Sequence, residues 1–299
     1  MKGYQCEKIN RKTKIFYVDK PNKDLAKFVC QLFEKSNSLA LSEEAGNAGS
    51  SPIKVIPTIR RFSKVYGLEY QSKQYIVKNF LTSTLEQNVS YLCKGSKAIC
   101  SFNTARELTA LNIRVPKPLF VLIYRVRPFK RESIYLTPKF NGPSLESFMI
   151  DNLVKSKEKV VKSLLNLSSN LGMLYQNHLI QTDPNPGNFL VDPDSCEITF
   201  IDVNSIRRVP ALKIEQILRN LTIINGNLFR ALAQNNLNYL YSSDRILFFL
   251  ENLYKTYRLP IDLQQAFTLL SSKTAQYLIH EGQGSLINEW GDCFLKMFV

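Results

Sequence analysis

Asp183, Asn188 and Asp202 are the residues whose types and spacing most directly suggest chemistry. Asp183 and Asn188 lie five apart in Gln181-Thr182-Asp183-Pro184-Asn185-Pro186-Gly187-Asn188, and Asp202 follows fourteen residues beyond Asn188. A carboxylate and an amide oxygen are hard donors. Converging on one divalent cation, they leave phosphate oxygens and water to complete an octahedron. A further carboxylate beside them can accept the proton of an attacking hydroxyl. Lys78, in Tyr75-Ile76-Val77-Lys78, is a single cation inside an apolar strand, placed to meet phosphate oxygens. The chemistry of such a set is metal-assisted transfer of a phosphoryl group to a hydroxyl.

The elements around these residues decide how far that reading goes. Asp183 and Asn188 alone also fit ordinary turn chemistry, because both types favour loops and Asp-Pro and Pro-Gly are common turn dipeptides. The sequence after them is more specific. Phe189-Leu190-Val191, the turn Asp192-Pro193-Asp194-Ser195 and the run Glu197 to Ile201 predict a hairpin that delivers Asp202 at the end of an apolar strand. A carboxylate buried there needs a partner for its charge. Before the loop, Lys157 to His178 places Val160, Val161, Leu164, Leu165, Leu171 and Leu174 at three- and four-residue steps, which predicts a helix with one buried face. Lys78 has a second reading as a solvent-facing residue of an edge strand.

The rest of the chain gives those elements a frame. At 299 residues with 44% hydrophobic positions, it can bury a substantial core in one large domain or two lobes. Residues 1–52 read as an extension with one helix, Lys23 to Ser36, and a Ser/Gly/Ala-rich flexible connector, so the ordered domain is expected to begin near Ile53. Residues 53–141 read as a sheet lobe: strands Ile53 to Ile59, Phe62 to Glu69 and Gln74 to Phe80 in an antiparallel meander, a helix ending near Asn112, then strands Leu119 to Arg125 and Ser133 to Pro138. Gly142-Pro143 breaks the chain, and residues 142–299 read as a mainly helical lobe with further helices Leu212 to Ala233, Asp244 to Tyr257 and Leu263 to Glu281. The fold class expected is α+β.

Composition narrows the partners. The net charge of +14 favours phosphate-bearing or otherwise anionic ones. The positive charge is scattered and no basic-aromatic motif of the known modules is present, so nucleic acid is not expected. No apolar run of about 18 residues and no signal-peptide pattern is found, and a cytoplasmic location is expected. The six cysteines show no C-x-x-C pairing and are expected to be reduced and mostly buried. The tail with Trp290, Phe294, Leu295, Met297 and Phe298 fits a buried closing helix better than an amphipathic membrane contact.

Asp183 and Asn188 have the D-x-x-x-x-N spacing of kinase catalytic loops, and the order of motifs resembles one family in particular. Tyr75-Ile76-Val77-Lys78, Lys94-Gly95-Ser96-Lys97-Ala98, Asn112-Ile113-Arg114-Val115-Pro116-Lys117-Pro118-Leu119, Gly142-Pro143-Ser144-Leu145, Asp183-Pro184-Asn185-Pro186-Gly187-Asn188-Phe189 and Ile201-Asp202-Val203-Asn204-Ser205-Ile206-Arg207-Arg208 are similar to the lipopolysaccharide kinases. These bacterial enzymes phosphorylate Kdo or heptose sugars of the inner core and belong to the protein-kinase-like superfamily. The resemblance covers residues 53 to 258. It implies a two-lobed kinase-like fold, ATP and Mg2+ as cofactors, Asp183 as catalytic base, Asn188 and Asp202 as metal ligands, and Lys78 as the contact to the nucleotide phosphates. It also implies a lipopolysaccharide core sugar as acceptor and a peripheral location at the inner face of the inner membrane, in contact with anionic lipid.

The chain departs from the family's pattern at several places. Gln181 and Thr182 replace the histidine and glycine before the catalytic aspartate, no glycine follows Asp202, and no glycine-rich phosphate loop lies between Ile53 and Gly67. The position of the glutamate that pairs with the strand lysine is Ser101, with Glu107 as a displaced substitute. Two other functions therefore share these residues: a kinase-fold binding protein without catalysis, and a kinase acting on a protein or another small acceptor.

Overall fold

The computed structural model describes residues 4–19, 21–36, 53–56, 63–81, 96–127, 130–286 and 290–291. The chain divides into two compact units, residues 1–107 with 116–140 and residues 108–115 with 141–299.

The first unit is built on one antiparallel sheet. Its strands are β1 (Gln5–Lys8), β2 (Thr13–Tyr17), β3 (Ile53–Ile56), β4 (Ser63–Tyr70), β5 (Lys73–Phe80), β6 (Phe120–Arg127) and β7 (Lys130–Pro138), in the spatial order β1-β2-β6-β7-β5-β4-β3. Alternation along the strands sends Ile15, Tyr17, Tyr75, Val77, Leu122 and Leu136 to one face, where they meet Leu25, Val29, Cys30 and Phe33 of helix α1 (Lys23–Ser36). Those helical positions recur at three- and four-residue steps, so α1 buries a single stripe. Its start is capped by Asn22, whose side-chain oxygen accepts from the backbone N–H of Leu25 at 3.1 Å. Helix α2 (Lys97–Ala110) begins in this unit and its last turn belongs to the second; the chain leaves it at Asn112, in the left-handed conformation (φ 58°), with Ile113 N–H donating to the Leu108 carbonyl.

One expectation for this unit changes, and one alternative reading falls away. The ordered structure begins well before Ile53, because β1 and β2 belong to the same sheet as β4 to β7. These strands escape a pattern search because β1 is a fully exposed run of four residues and β2 a run of only five. Lys78 is not on an edge strand: β5 is paired on both sides, with Lys78 opposite Val65 of β4 and Tyr135 of β7. The connector between α1 and β3 lies outside the described residues.

The second unit is mainly helical, as expected. It contains α3 (Leu145–Asn152), α4 (Lys157–Gln176), α5 (Ile214–Gln234), α6 (Ser243–Thr256) and α7 (Leu263–His280). On α4, Val160, Leu164, Leu167, Leu171 and Leu174 are buried, while Val161 and Leu165 of the predicted stripe are half-buried. Glycine permits two close helix contacts. A Cβ on Gly226 of α5 would stand 2.5 Å from the ring of Tyr277 of α7, and one on Gly172 of α4 would stand 2.6 Å from Thr256 at the end of α6. Trp290 is buried against Phe229 at a ring distance of 4.9 Å, in line with a closing segment. The remaining tail residues named above lie outside the described residues.

The cysteines differ from expectation. Cys30 and Cys196 are buried, but Cys6 and Cys100 are exposed; Cys6 stands on the outer strand β1, where no layer covers it. Cys93 and Cys293 lie outside the described residues. No described helix is long and apolar enough to cross a membrane.

Candidate functional site

Two short ladders in the helical unit bring the predicted residues together. β8 (Leu179–Gln181), which follows α4, pairs with β11 (Ile206–Arg208), and Gln181 lies opposite Ile206. β9 (Phe189–Val191) pairs with β10 (Ile198–Phe200), and Phe189 lies opposite Phe200. The loop from Thr182 to Asn188 and the turn from Ile201 to Ser205 are thus each held at both ends by the same two pairings. Phe189 and Phe200 are fully buried, and their rings meet edge to face at 5.0 Å beneath the loop.

Hydrogen bonds tie the two segments directly. Thr182 donates its N–H and its hydroxyl to the Ser205 carbonyl, both at 2.7 Å. At the other end Ile201 N–H donates to the Asn188 carbonyl at 3.1 Å. Within the loop, Asn188 Nδ2 donates to the Asp183 carbonyl at 2.9 Å, and Gln181 Nε2 reaches the same oxygen at 3.2 Å. The amide of Asn188 is thereby oriented, with its oxygen directed away from that carbonyl. Ser205 Oγ donates to the Asp202 carbonyl at 2.6 Å, and Asn185 holds the 3-10 turn Pro186–Asn188 by accepting from Gly187 N–H at 2.9 Å.

Burial grades the three side chains. Asp202 is only 5% exposed, whereas Asp183 and Asn188 are half-buried. A deeply buried carboxylate and an oriented amide oxygen are donor types that hard cations take. Among the described residues no group of three His, Cys, Asp or Glu could hold a metal ion.

The hairpin that presents Asp202 is anchored from outside. Phe200 N–H donates to the Arg114 carbonyl at 2.9 Å, and the Arg114 guanidinium pairs with Glu197. Asp192 closes the hairpin turn by accepting from Ser195 N–H at 3.0 Å and Asp194 N–H at 3.1 Å. The Ser195 N–H, helped by that of Asp194 and by the nearby Arg114 charge, holds the Asp192 carboxyl below the usual carboxylate range.

Lys78 belongs to the other unit and stands on an interior strand of its sheet. It is half-buried, with Nζ 5.5 Å from the centre of the Phe80 ring. Ser101 is buried on α2 and donates its hydroxyl back to the Lys97 carbonyl at 2.9 Å.

Sequence reasoning missed a polar cluster near Asp183. Arg230 Nη2 donates to Asn227 Oδ1 at 2.8 Å, and the Tyr277 hydroxyl donates to the same oxygen at 3.3 Å. Burial raises the Tyr277 phenol above its usual range, with the Glu281 and Asp183 charges adding to the effect, so Tyr277 lies within electrostatic reach of Asp183. The signal was faint: Asn227 and Arg230 are three apart on an amphipathic helix, where polar residues ordinarily read as a solvated face.

Comparison with known proteins settles the architecture. Residues 141–232 match the ABC1 atypical kinase-like domain family, a span that includes Asp183, Asn188 and Asp202. The solved structure of WaaP in complex with acyl carrier protein superposes with a TM-score of 0.54 at 14% sequence identity, covering 75% of this chain and 86% of that one. The chain has a protein-kinase-like fold. No curated protein sequence matches it. On this kinase-like fold, the antiparallel sheet and the mainly helical part are those that the sequence led one to expect.

Proposed function

We propose that the protein is an ATP-dependent phosphotransferase whose acceptor is a sugar hydroxyl of the lipopolysaccharide inner core. The observation that carries this reading is the double clasp that holds Asp183, Asn188 and Asp202 on adjoining segments. The kinase-like fold and the structural likeness to WaaP, a lipopolysaccharide core heptose kinase, support it.

Asp202 and Asn188 would hold a divalent cation through carboxylate and amide oxygens, and Lys78 would meet the α- and β-phosphates of ATP. Bound there, magnesium supplies neutralisation of phosphate charge. Asp183 accepts the proton of the acceptor hydroxyl as its oxygen bonds to the γ-phosphorus and the bond to the leaving ADP oxygen breaks. Gln181 and Asn188 fix the backbone of Asp183 by donating to its carbonyl, so the loss of the family's histidine does not leave that loop unsupported. Arg230, within the polar cluster near Asp183, suits an acceptor bearing carboxylate or phosphate. A peripheral position on an anionic cytoplasmic membrane belongs to the same reading, as does acyl carrier protein, the partner of WaaP in its solved complex.

The test is magnesium-dependent ATP turnover by the full chain with lipopolysaccharide core as acceptor. Asp202→Asn and Asp183→Asn are each expected to lower turnover by at least about 100-fold with the fold retained by circular dichroism. ATP binding without transfer to any acceptor would leave a kinase-fold binding protein, a reading that the departures at Gln181, Thr182 and Val203 favour. Transfer to protein but not to the core sugar would overturn the acceptor.

A further inference from the structure

Positive charge is gathered in the sheet unit at a place that phosphotransfer does not use. Lys8, Arg11, Lys12, Lys14, Arg125 and Arg131 line one cavity of about 290 Å³, and all six are exposed. No Asp or Glu is among the described residues that line it. The strand register makes the arrangement costly. Lys8 of β1 stands directly opposite Lys14 of β2, and Arg125 of β6 stands directly opposite Arg131 of β7. Lys12 joins them, its carbonyl accepting from Arg125 N–H at 3.1 Å. Like charges facing each other across a ladder destabilise a sheet. A bound anion would remove that repulsion and turn it into attraction.

The opposite face shows that this is a property of one side only. Ile15, Tyr17, Leu122 and Tyr124 alternate with the cationic positions and are buried against α1. On the cationic side Phe16 and Ile123 lie between the charges and form part of the cavity's lining. A flat membrane surface is met by protruding cations, whereas a concavity with an apolar floor and a cationic rim fits a discrete group. Opposed arginine forks match phosphate oxygens in pairs, and lysines add point charge around them.

We propose that this cavity is a binding site for a group carrying at least two phosphates, either a free phosphorylated metabolite or a lipid headgroup. The site lies wholly within the sheet unit, and its occupancy does not depend on phosphotransfer.

Calorimetric titration of the full chain with inorganic pyrophosphate tests it. The double variant Lys14→Gln with Arg125→Gln is expected to weaken the affinity roughly 100-fold, about tenfold for each charge-assisted hydrogen bond to the phosphate that the variant removes. Without ligand that variant should melt at or above the wild-type temperature, because it removes two facing repulsions. Sedimentation with phosphatidylcholine vesicles containing cardiolipin, abolished in the double variant and absent without cardiolipin, assigns the source to a headgroup. Pyrophosphate binding without sedimentation assigns it to a free metabolite. Wild-type affinity in the double variant overturns the site. So does a clear fall in melting temperature seen both there and in Lys8→Gln with Lys12→Gln, since it would make these cations structural. Capture of an acidic protein by a chain that does not bind pyrophosphate overturns the small-anion assignment.

Discussion

Tyr175, at the end of α4, is fully buried, and its ring meets that of Tyr257 edge to face at 5.8 Å. Its hydroxyl has no hydrogen-bond partner among the described residues, and burial pushes the phenol far above its usual range. A buried hydroxyl without a partner costs on the order of 1–3 kcal/mol, whereas the ring contact contributes whether or not the oxygen is present. Tyr175→Phe is therefore expected to raise stability by about 1 kcal/mol, read as an increased urea midpoint with an unchanged slope. A loss of stability would show that the hydroxyl is satisfied in solution. Residue types of this kind were only partly legible in the sequence. Asp183, Asn188 and Asp202 were recognisable because carboxylate, amide and spacing together have few other uses. The roles of Gln181, Thr182 and Ser205 were not, because each acts through a backbone carbonyl that only the paired strands bring within reach.

At the scale of elements, the site depends on two three-residue ladders and the turn that joins β9 to β10. Asp192 closes that turn, and its carboxyl is held below the ordinary value of 3.8, chiefly by the Ser195 N–H. A depressed folded pKa contributes stability that is present above the unfolded value and is lost as pH falls through the folded one. Asp192→Asn retains an oxygen to accept from Ser195 but carries no charge. Wild type is therefore expected to melt above Asp192→Asn at neutral pH, with the difference closing as the pH falls below the ordinary carboxylate value of 3.8. A difference that persists unchanged at the acid end would mean that the carboxylate charge is not what holds the turn. Elements with a long period were the legible ones: α4 and α7 each bury one stripe over eighteen or more residues, α5 is buried over most of its circumference, and the hairpin was marked by the Asp-Pro turn. β8 and β11 were not, since three residues cannot display a period and their pairing joins positions about 25 residues apart. β1 and β2 were hidden for a related reason: β1 is exposed at all four positions and β2 offers only five residues, too few to establish an alternation.

For the whole molecule, the dominant electrostatic fact is a surplus of 39 basic over 25 acidic residues. Described ion pairs such as Lys23–Glu7 at 3.4 Å and Lys117–Asp19 at 2.8 Å are solvent-exposed and contribute little. Repulsion among the excess cations acts over longer distances and is concentrated where Lys8 faces Lys14 and Arg125 faces Arg131. Salt screens attraction and repulsion alike, so the sign of its effect follows the surplus. Raising sodium chloride from about 10 mM to about 150 mM shortens the screening length from about 30 Å to about 8 Å and is expected to raise the melting temperature. The increment should be smaller in Lys14→Gln with Arg125→Gln, which begins with less repulsion. Sodium phosphate at equal ionic strength should raise the wild-type melting temperature further and leave the double variant where chloride put it, because phosphate can occupy the cavity as well as screen it. A melting temperature that falls with chloride would mean that attractive pairs outweigh the surplus, and the repulsion assigned to the β1, β2, β6 and β7 cations would then be too weak to favour a bound anion.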